Sequence, residues 1–247
     1  MWQKQFNAKP NPNAPLYVIG DVHGRCDLLI RLISMIDADA EARRITNHII
    51  VFVGDYIDRG PESALVLSVL QQLQGDPSRR VLALKGNHEH MLVRFLEDPS
   101  KGPRWLKNGG FETLLSYGIT GVTEDSPIED LTEASQKLTK AMGVETIQFL
   151  NDLELTFTSG NIFVCHAGGD PTQPLDKQGE KELLWGHPQF KKKTRKDKFW
   201  VVHGHYAEST PLIENGRIST DTGAYFSNQL TAARILNDEI KFMTAEL

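Results

Sequence analysis

Five short segments hold the residues best able to do metal or acid–base chemistry. They are Gly20-Asp21-Val22-His23-Gly24, Gly54-Asp55-Tyr56-Ile57-Asp58-Arg59-Gly60, Gly86-Asn87-His88-Glu89, His166-Ala167-Gly168-Gly169 and His203-Gly204-His205. Together they offer carboxylates, an amide oxygen and several imidazoles. A mixed oxygen and nitrogen set suits Mn, Fe or Zn better than Ca or Mg alone. Scarce thiols disfavour a structural zinc site. Asp21 and His23 are two apart, so at an extended strand end both point to one side. Asp55 stands at the next strand end and is suited to bridge two ions. Two dications about 3.5 Å apart repel by about 19 kcal/mol at an effective dielectric near 20, so something anionic must lie between them. A bridging carboxylate and a bridging hydroxide are the candidates. Two protein carboxylates against four positive charges leave such a site cationic, which favours a phosphate dianion. Water on such an ion is a competent nucleophile near neutral pH, and phosphate monoesters hydrolyse very slowly unaided. The planar fork of Arg59 suits phosphate oxygens. His88, beside Asn87, is placed to protonate a departing oxygen, with Asp58 orienting it and raising its pKa.

The elements that must position these residues repeat a pattern. Leu16–Ile19 is an apolar run ended by Gly20-Asp21 and followed by helical spacing over Asp27–Ala40, with Leu28, Leu29, Leu32, Ile33 and Ile36 on one face. Ile49–Val53 ends in Gly54-Asp55, and a helix is expected from about Pro61, a good first helical residue. Val81–Leu84 ends in Gly86-Asn87-His88, with a helical run through Met91–Leu96. Three strand–loop–helix units in series predict an α/β fold. Residues 99–153 predict helices separated by Gly- and Pro-containing breaks. Beyond them, Leu155–Thr158, Ile162–Cys165, Phe199–Val202, Leu212–Ile213, Arg217–Ser219, Leu230–Leu236 and Glu239–Met243 read as strands. Hairpin signals at Ser159-Gly160-Asn161, Glu214-Asn215-Gly216 and Asn237-Asp238 predict a mostly antiparallel C-terminal third. In open α/β sheets ligands bind outside the carboxyl ends of strands, and all five segments lie there.

The chain has 247 residues, 40% hydrophobic and 24% charged, with a formal net charge of −5. That acidity argues against a dedicated nucleic-acid binder. No apolar run approaches membrane-spanning length. The first 15 residues lack the apolar stretch of a secretory signal. Cys26 and Cys165, both in apolar surroundings, are expected as buried free thiols in a reducing cytoplasm. The chain is read as an irregular lead-in over 1–14 followed by one domain over 15–247, expected as a monomer.

In this order, GDVHG, GDYIDRG, GNHE, HAGG and GH resemble the calcineurin-like metallophosphoesterases. Within them the set is most similar to the phosphoprotein-phosphatase family, especially its small bacterial and phage members. The likeness runs from about Pro15 to the C-terminus and takes in Asp221-Thr222-Gly223-Ala224. It implies two mixed β-sheets sandwiched between helices, with a dimetal site at one edge. It also implies two divalent ions, with manganese expected and iron, zinc or magnesium compatible. Asp21 and His23 would hold the first ion, Asp55 would bridge, and Asn87, His166 and His205 would hold the second. Arg59, Asn87 and His88 would bind phosphate, and His88 with Asp58 would form the acid pair. There is one departure. Members of this size often carry an Arg two residues after a Trp before the last metal histidine, and here Trp185-Gly186 is followed by His187. A second phosphate-binding cation would then be absent or come from Lys191–Lys193 or Arg195. His203 is extra to the pattern.

The expected substrate is a phosphoprotein, phosphorylated on Ser, Thr or Tyr, or a small phosphorylated molecule, with neither nucleic acid nor membrane as partner. The rival is a symmetrical dinucleoside tetraphosphate hydrolase on the same scaffold. Enzymes of that type typically lack the Asp before the Arg of the second segment, so Asp58 argues against it. A remote rival, an inactive binding module, predicts gaps among Asp21, His23, Asp55, Asp58, Arg59, Asn87, His88, His166 and His205, and there are none. Other residues have plainer readings. Glu89 and His90 suit a helix start. His48, His187 and His203 are expected to be structural or solvent-facing, the Lys191–Lys196 run a solvated loop, and Trp105, Trp185 and Trp200 packing residues.

Overall fold

The computed structural model describes residues 6–247. The N-terminal half gives β1 (Leu16–Ile19), α1 (Cys26–Ala42), β2 (Ile49–Phe52), α2 (Ser63–Gly75), β3 (Val81–Ala83) and α3 (Asn87–Glu97). The middle is helical: α4 (Gly102–Trp105), a π-type turn over Leu106–Gly110, α5 (Phe111–Ser116) and α6 (Ile128–Asp152), the last interrupted at Gly143. Then come β4 (Thr156–Ser159), β5 (Ile162–Cys165), α7 (Glu180–Trp185), β6 (Trp200–His203), β7 (Leu212–Glu214), β8 (Arg217–Ser219), a single turn α8 (Ala224–Ser227), β9 (Gln229–Leu236) and β10 (Glu239–Glu246).

The strands form two five-stranded sheets, ordered β10-β9-β1-β2-β3 and β4-β5-β6-β8-β7. Side-chain alternation explains how they stack. Leu16, Val18, Ile49 and Val51 face Ile162, Val164, Val202 and Ile218 of the other sheet in one buried layer. Tyr17, Ile19, Ile50 and Phe52 face the opposite way, against Leu28, Leu29, Leu32, Val66, Leu70 and Leu92 of the helices. A strand buried on both faces must be apolar throughout, which is why β1 and β2 read as unbroken hydrophobic runs. Phe163, Cys165 and Val201 pack outward beneath Leu183 and Phe190. The result is the expected α/β sandwich of two mixed sheets between helices.

Two expectations are refined by the structure. The C-terminal strands are mostly antiparallel, as expected, through β4–β5, β7–β8, β9–β10 and β1–β9, but β5–β6 and β6–β8 pair in parallel. The hairpin signals fixed β4–β5, β7–β8 and β9–β10, whereas the longer crossovers carry no local signal. Helix α2 begins at Ser63, two residues after Pro61. The lead-in is irregular but tied down over its described part: Asn11 donates its N–H to Asn161 Oδ1 at 2.8 Å, Trp200 Nε1 donates to the Ala8 carbonyl at 3.1 Å, and Phe6 lies edge-on to Trp200. Residues 1–5 of that expectation lie outside the described residues. Both cysteines are buried and unpaired. Among the described residues no helix is long and apolar enough to cross a membrane.

Candidate metal and phosphate site

The loops after β1, β2, β3, β5 and β6 meet at one point, as their placement at strand ends predicts. The backbone there is unusual. His23, Asp55, Asp58, Arg59 and His205 all have positive φ, between 44° and 70°. Each such residue costs about 1 kcal/mol or more, and such strain clusters at functional sites. It also corrects the expectation for Asp21 and His23. Strand β1 ends at Ile19, so His23 is aimed by its φ of 44° and not by strand alternation.

Asp55 is the hub. Its Oδ2 lies 3.6 Å from His23 Nε2, 3.5 Å from His166 Nε2 and 3.8 Å from His88 Nε2. Two compact groups share it, His23–Asp55–His88 and Asp55–His166–His205. Asn87 completes the second: its Oδ1 is 2.8 Å from His166 Nε2 and 2.9 Å from His205 Nδ1, and those two ring nitrogens are 3.2 Å apart. Donors held about 2.1 Å from one ion stand about 3.0–3.4 Å apart, so the spacing fits a single cation. Asp21 lies outside both groups. Its carboxylate accepts the His205 backbone N–H at 3.0 and 3.3 Å.

The ring tautomers fit as well. His23 Nδ1 faces the Ile57 carbonyl at 2.8 Å, and His166 Nδ1 faces the Val53 carbonyl at 3.1 Å. A carbonyl can only accept, so both Nδ1 atoms carry hydrogen and both Nε2 lone pairs face Asp55. That is the outer support metal-binding histidines characteristically have. Burial lowers His23 to about 3 and His205 to about 4, and it lowers His166 as well. All three are therefore neutral near pH 7 with nitrogen available. For Asp55 burial acts upward, but the surrounding histidines, His166 first, outweigh it and keep it ionised. The donor set and its geometry fit divalent cations.

His88 is held differently. Its Nδ1 sits 2.6 Å from Asp58 Oδ2, and its own backbone N–H donates to Asp55 Oδ1 at 3.0 Å. Burial tends to lower its pKa, yet the Asp55 charge and the Asp58 hydrogen bond raise it overall. Asp58 is itself caged. Trp105 Nε1 donates to its carboxylate, as does Thr113 Oγ1 at 2.6 Å. Both come from α4 and α5, and the Gly109 carbonyl between them accepts the Arg59 N–H at 3.1 Å. The helical segment thus reaches the site directly.

Arg59 is exposed, 3.3 Å from His23 Nε2 through its Nη1, with its guanidinium over the Tyr225 ring at 4.9 Å. Two of the alternative cations, Lys191 and Arg195, are occupied. Lys191 pairs with Glu208 and lies over Tyr206, while Arg195 donates to the Asp170 and Gln173 carbonyls. His187 lies beside Asp170, 3.9 Å away. His203 is buried edge-on to Phe190, the structural reading expected for it.

Several residues that shape the site were not expected to. Glu89 starts α3 as predicted, but it is wholly buried and accepts the backbone N–H groups of Asp55, Tyr56 and Gly86 at 2.8–2.9 Å. Burial and then Asp55 push it up to about 7. A Glu three residues after Gly86 is a local signal for such back-bonding. Gly86 is obligatory there, since a Cβ would lie 2.1 Å from Asp55 Oδ1. Asp221 is buried beside Asp21, and its carboxylate caps the Gly223 N–H at 2.8 Å. Trp105 and Thr113 carry no local signal, because their partner is some fifty residues away in sequence.

A family profile described as calcineurin-like phosphoesterase matches residues 14–238. Among curated relatives, the chain is 29% identical over 240 residues to the bis(5'-nucleosyl)-tetraphosphatase PrpE [asymmetrical] of Oceanobacillus iheyensis, covering 90% of this chain and 89% of that one. It is also 29% identical over 239 residues to the protein of the same name from Bacillus velezensis, with the same coverage. Among solved structures it is similar to one provisionally described as a diadenosine tetraphosphatase, at TM-score 0.64 and 19% identity over 97% of this chain and 99% of that one. It is similar too to a protein serine/threonine phosphatase from Saccharomyces cerevisiae, at TM-score 0.58 and 20% identity over 96% and 81%. These structural likenesses bear on the fold.

Proposed function

The chain belongs to the calcineurin-like phosphoesterase family, and we propose that it is a dimetal-dependent phosphatase acting on phosphate monoesters, phosphoserine and phosphothreonine of proteins first and phosphotyrosine next. In this reading Asp21, His23 and Asp55 hold one divalent cation, and Asp55, Asn87, His166 and His205 hold the second, with manganese the expected metal. Bound there, divalent cations would supply positive charge to offset that of the ester and would lower the pKa of a water. Arg59 draws the phosphate oxygens in with its fork. Asn87 and His88 face the same oxygens. His88, protonated at Nε2, delivers its proton to the departing oxygen. Asp58 fixes the ring from Nδ1 and stabilises the imidazolium, and the cage of Trp105 and Thr113 keeps Asp58 in place.

The observation that carries this reading is the buried His88–Asp58 pair at 2.6 Å. A general acid is worth most where the leaving group is most basic. A serine or threonine alkoxide needs a proton far more than a nucleotide does. A second reading is favoured by the names of the curated relatives, which span about nine-tenths of the chain. It is hydrolysis of dinucleoside tetraphosphates, in the asymmetrical mode of those names instead of the symmetrical one first expected.

Purified protein, stripped of metal and reloaded separately with Mn, Mg, Zn or Fe, is offered a phosphoserine peptide, a phosphotyrosine peptide and diadenosine tetraphosphate side by side. Metal-dependent phosphate release from the peptides at the higher kcat/KM supports the first reading. Cleavage of the dinucleotide alone, to AMP and ATP, replaces it with the second. No turnover with any metal removes both.

A further inference from the structure

Tyr225 and Phe226 stand out because they are exposed, apolar and rigidly held beside the phosphate site. Phe226 is 60% exposed and Tyr225 36%. Tyr225 lies edge-on to His23 with ring centroids 5.3 Å apart, and its face carries the Arg59 guanidinium. Phe226 lies edge-on to Tyr225 at 4.9 Å, one ring farther from the cationic centre.

The turn that presents them is built from below. Arg25, 9% exposed, donates through Nη1 to the Ala224 carbonyl at 2.9 Å and to Asn228 Oδ1 at 2.7 Å. It therefore grips both ends of the turn, and Asp27 holds the rest of its guanidinium. Asp221 caps the Gly223 N–H, and Gly223 has φ of +68°. The Phe226 ring folds onto Gly223 so closely that a Cβ there would lie 2.2 Å from ring carbons. Gly223 thus serves to seat Phe226. A large apolar ring left in water yet fixed by a buried arginine and an obligatory glycine gains nothing for the core. It is organised for something that arrives later, and pre-organised aromatic surface loses little entropy on binding.

We infer that Tyr225 and Phe226 form an aromatic shelf that seats a planar π group carried by the substrate on the far side of its phosphate, an aryl ring or a nucleobase. The inference rests on the reading of the adjoining centre as a phosphoester site. Arg59 and the cations hold the phosphate, and Tyr225 connects that end to Phe226. The ester's organic part leaves past Tyr225 and meets the exposed face of Phe226. Stacking on an aromatic side chain is worth roughly 5- to 150-fold in affinity per base. An aliphatic ester gains none of this, so the shelf favours aryl and nucleotide esters in binding, whereas the His88–Asp58 acid favours alkyl esters in turnover.

Calorimetric binding to the full-length protein in Mn2+ tests it without turnover. The probes are methylphosphonate, phenylphosphonate and adenosine 5'-monophosphate, titrated into wild type, Phe226→Ala and Phe226→Trp. Wild type is expected to bind at least one aromatic probe about tenfold more tightly than methylphosphonate. Phe226→Ala should reduce that ratio to near one, and Phe226→Trp should keep or raise it. Advantage carried by phenylphosphonate assigns the shelf to aryl esters, and advantage carried by the nucleotide assigns it to nucleobases. No aromatic advantage in wild type, or the same ratio in wild type and Phe226→Ala, overturns the shelf. A wild type that shows the advantage but hydrolyses no ester would leave the shelf standing and defeat the catalytic reading instead.

Discussion

The indole Nε1–H of Trp105 donates to both carboxylate oxygens of Asp58, at 2.9 and 3.1 Å, and both side chains are wholly buried. A residue of the central helical segment thereby fixes the carboxylate that orients His88. The first prediction follows from this contact. Trp105→Phe removes the donor with little change in shape, and Thr113→Val removes the other. Leaving a buried charge short of hydrogen bonds costs about 1–3 kcal/mol or more, so each variant should lose stability by that order. If the cage positions the acid pair, kcat should also fall about tenfold or more on a phosphoserine peptide and much less on an aryl phosphate with a good leaving group. Equal losses on both substrates would reduce the cage to a purely structural role.

His88→Asn tests the acid itself. The side chain is not among the proposed metal-holding residues, so metal content by elemental analysis should stay near that of wild type. Turnover of alkyl phosphates should fall by about 100- to 10,000-fold, and the slope of rate against leaving-group pKa should steepen. Normal turnover on alkyl phosphates would remove His88 from the role.

Glu89→Gln tests the support beneath the hub. Three backbone N–H groups converge on the two Glu89 oxygens. A glutamine supplies one oxygen and turns an NH2 group toward an N–H donor. The expected cost is about 1–3 kcal/mol, a fall in Tm of about 5 °C for a chain this size. Metal affinity should weaken with it, because Asp55 hangs from the same backbone. A Tm within about a degree of wild type would show that these contacts contribute little.

A fourth prediction concerns acid stability, away from the site. Burial tends to raise the Asp39 carboxyl, but hydrogen bonds from Arg43, Arg234 and Tyr17 hold it down to about 2. An unfolded Asp titrates near 3.9. The folded value is the lower, so this carboxylate contributes stability that is full above about pH 4 and is lost as pH falls toward 2. The contribution is about 2 kcal/mol. Urea midpoints of wild type and Asp39→Asn should differ most at neutral pH and converge between pH 4 and 2. A constant gap across that interval would show that Asp39 does not carry the acid sensitivity.

The sequence by itself determined a great deal. Strands buried on both faces announce themselves as apolar runs, and the loops that end them carry Asp55, Asn87, His166 and His205. These sit at strand ends because that is where an α/β sheet opens a crevice. Residue type and order were enough to predict convergence, and the turn signals at Gly160 and Gly216 were enough for two hairpins, since both depend on local chemistry. What lay beyond reach depends on distance along the chain. The parallel pairing of β6 with β5 and β8 follows from crossovers with no local signature. Trp105 meets Asp58 only because the helical segment folds back across forty-seven residues, and a buried Trp reads the same whether it packs or donates. His23 reaches Asp55 through a left-handed backbone that strand alternation does not foretell. Tyr225 carries no local signal of its place beside the site, because the turn that presents it is held by Arg25, about two hundred residues earlier. Local propensity is encoded within a few residues, whereas caging, aiming and exposure are properties of neighbours that only the assembled fold brings together.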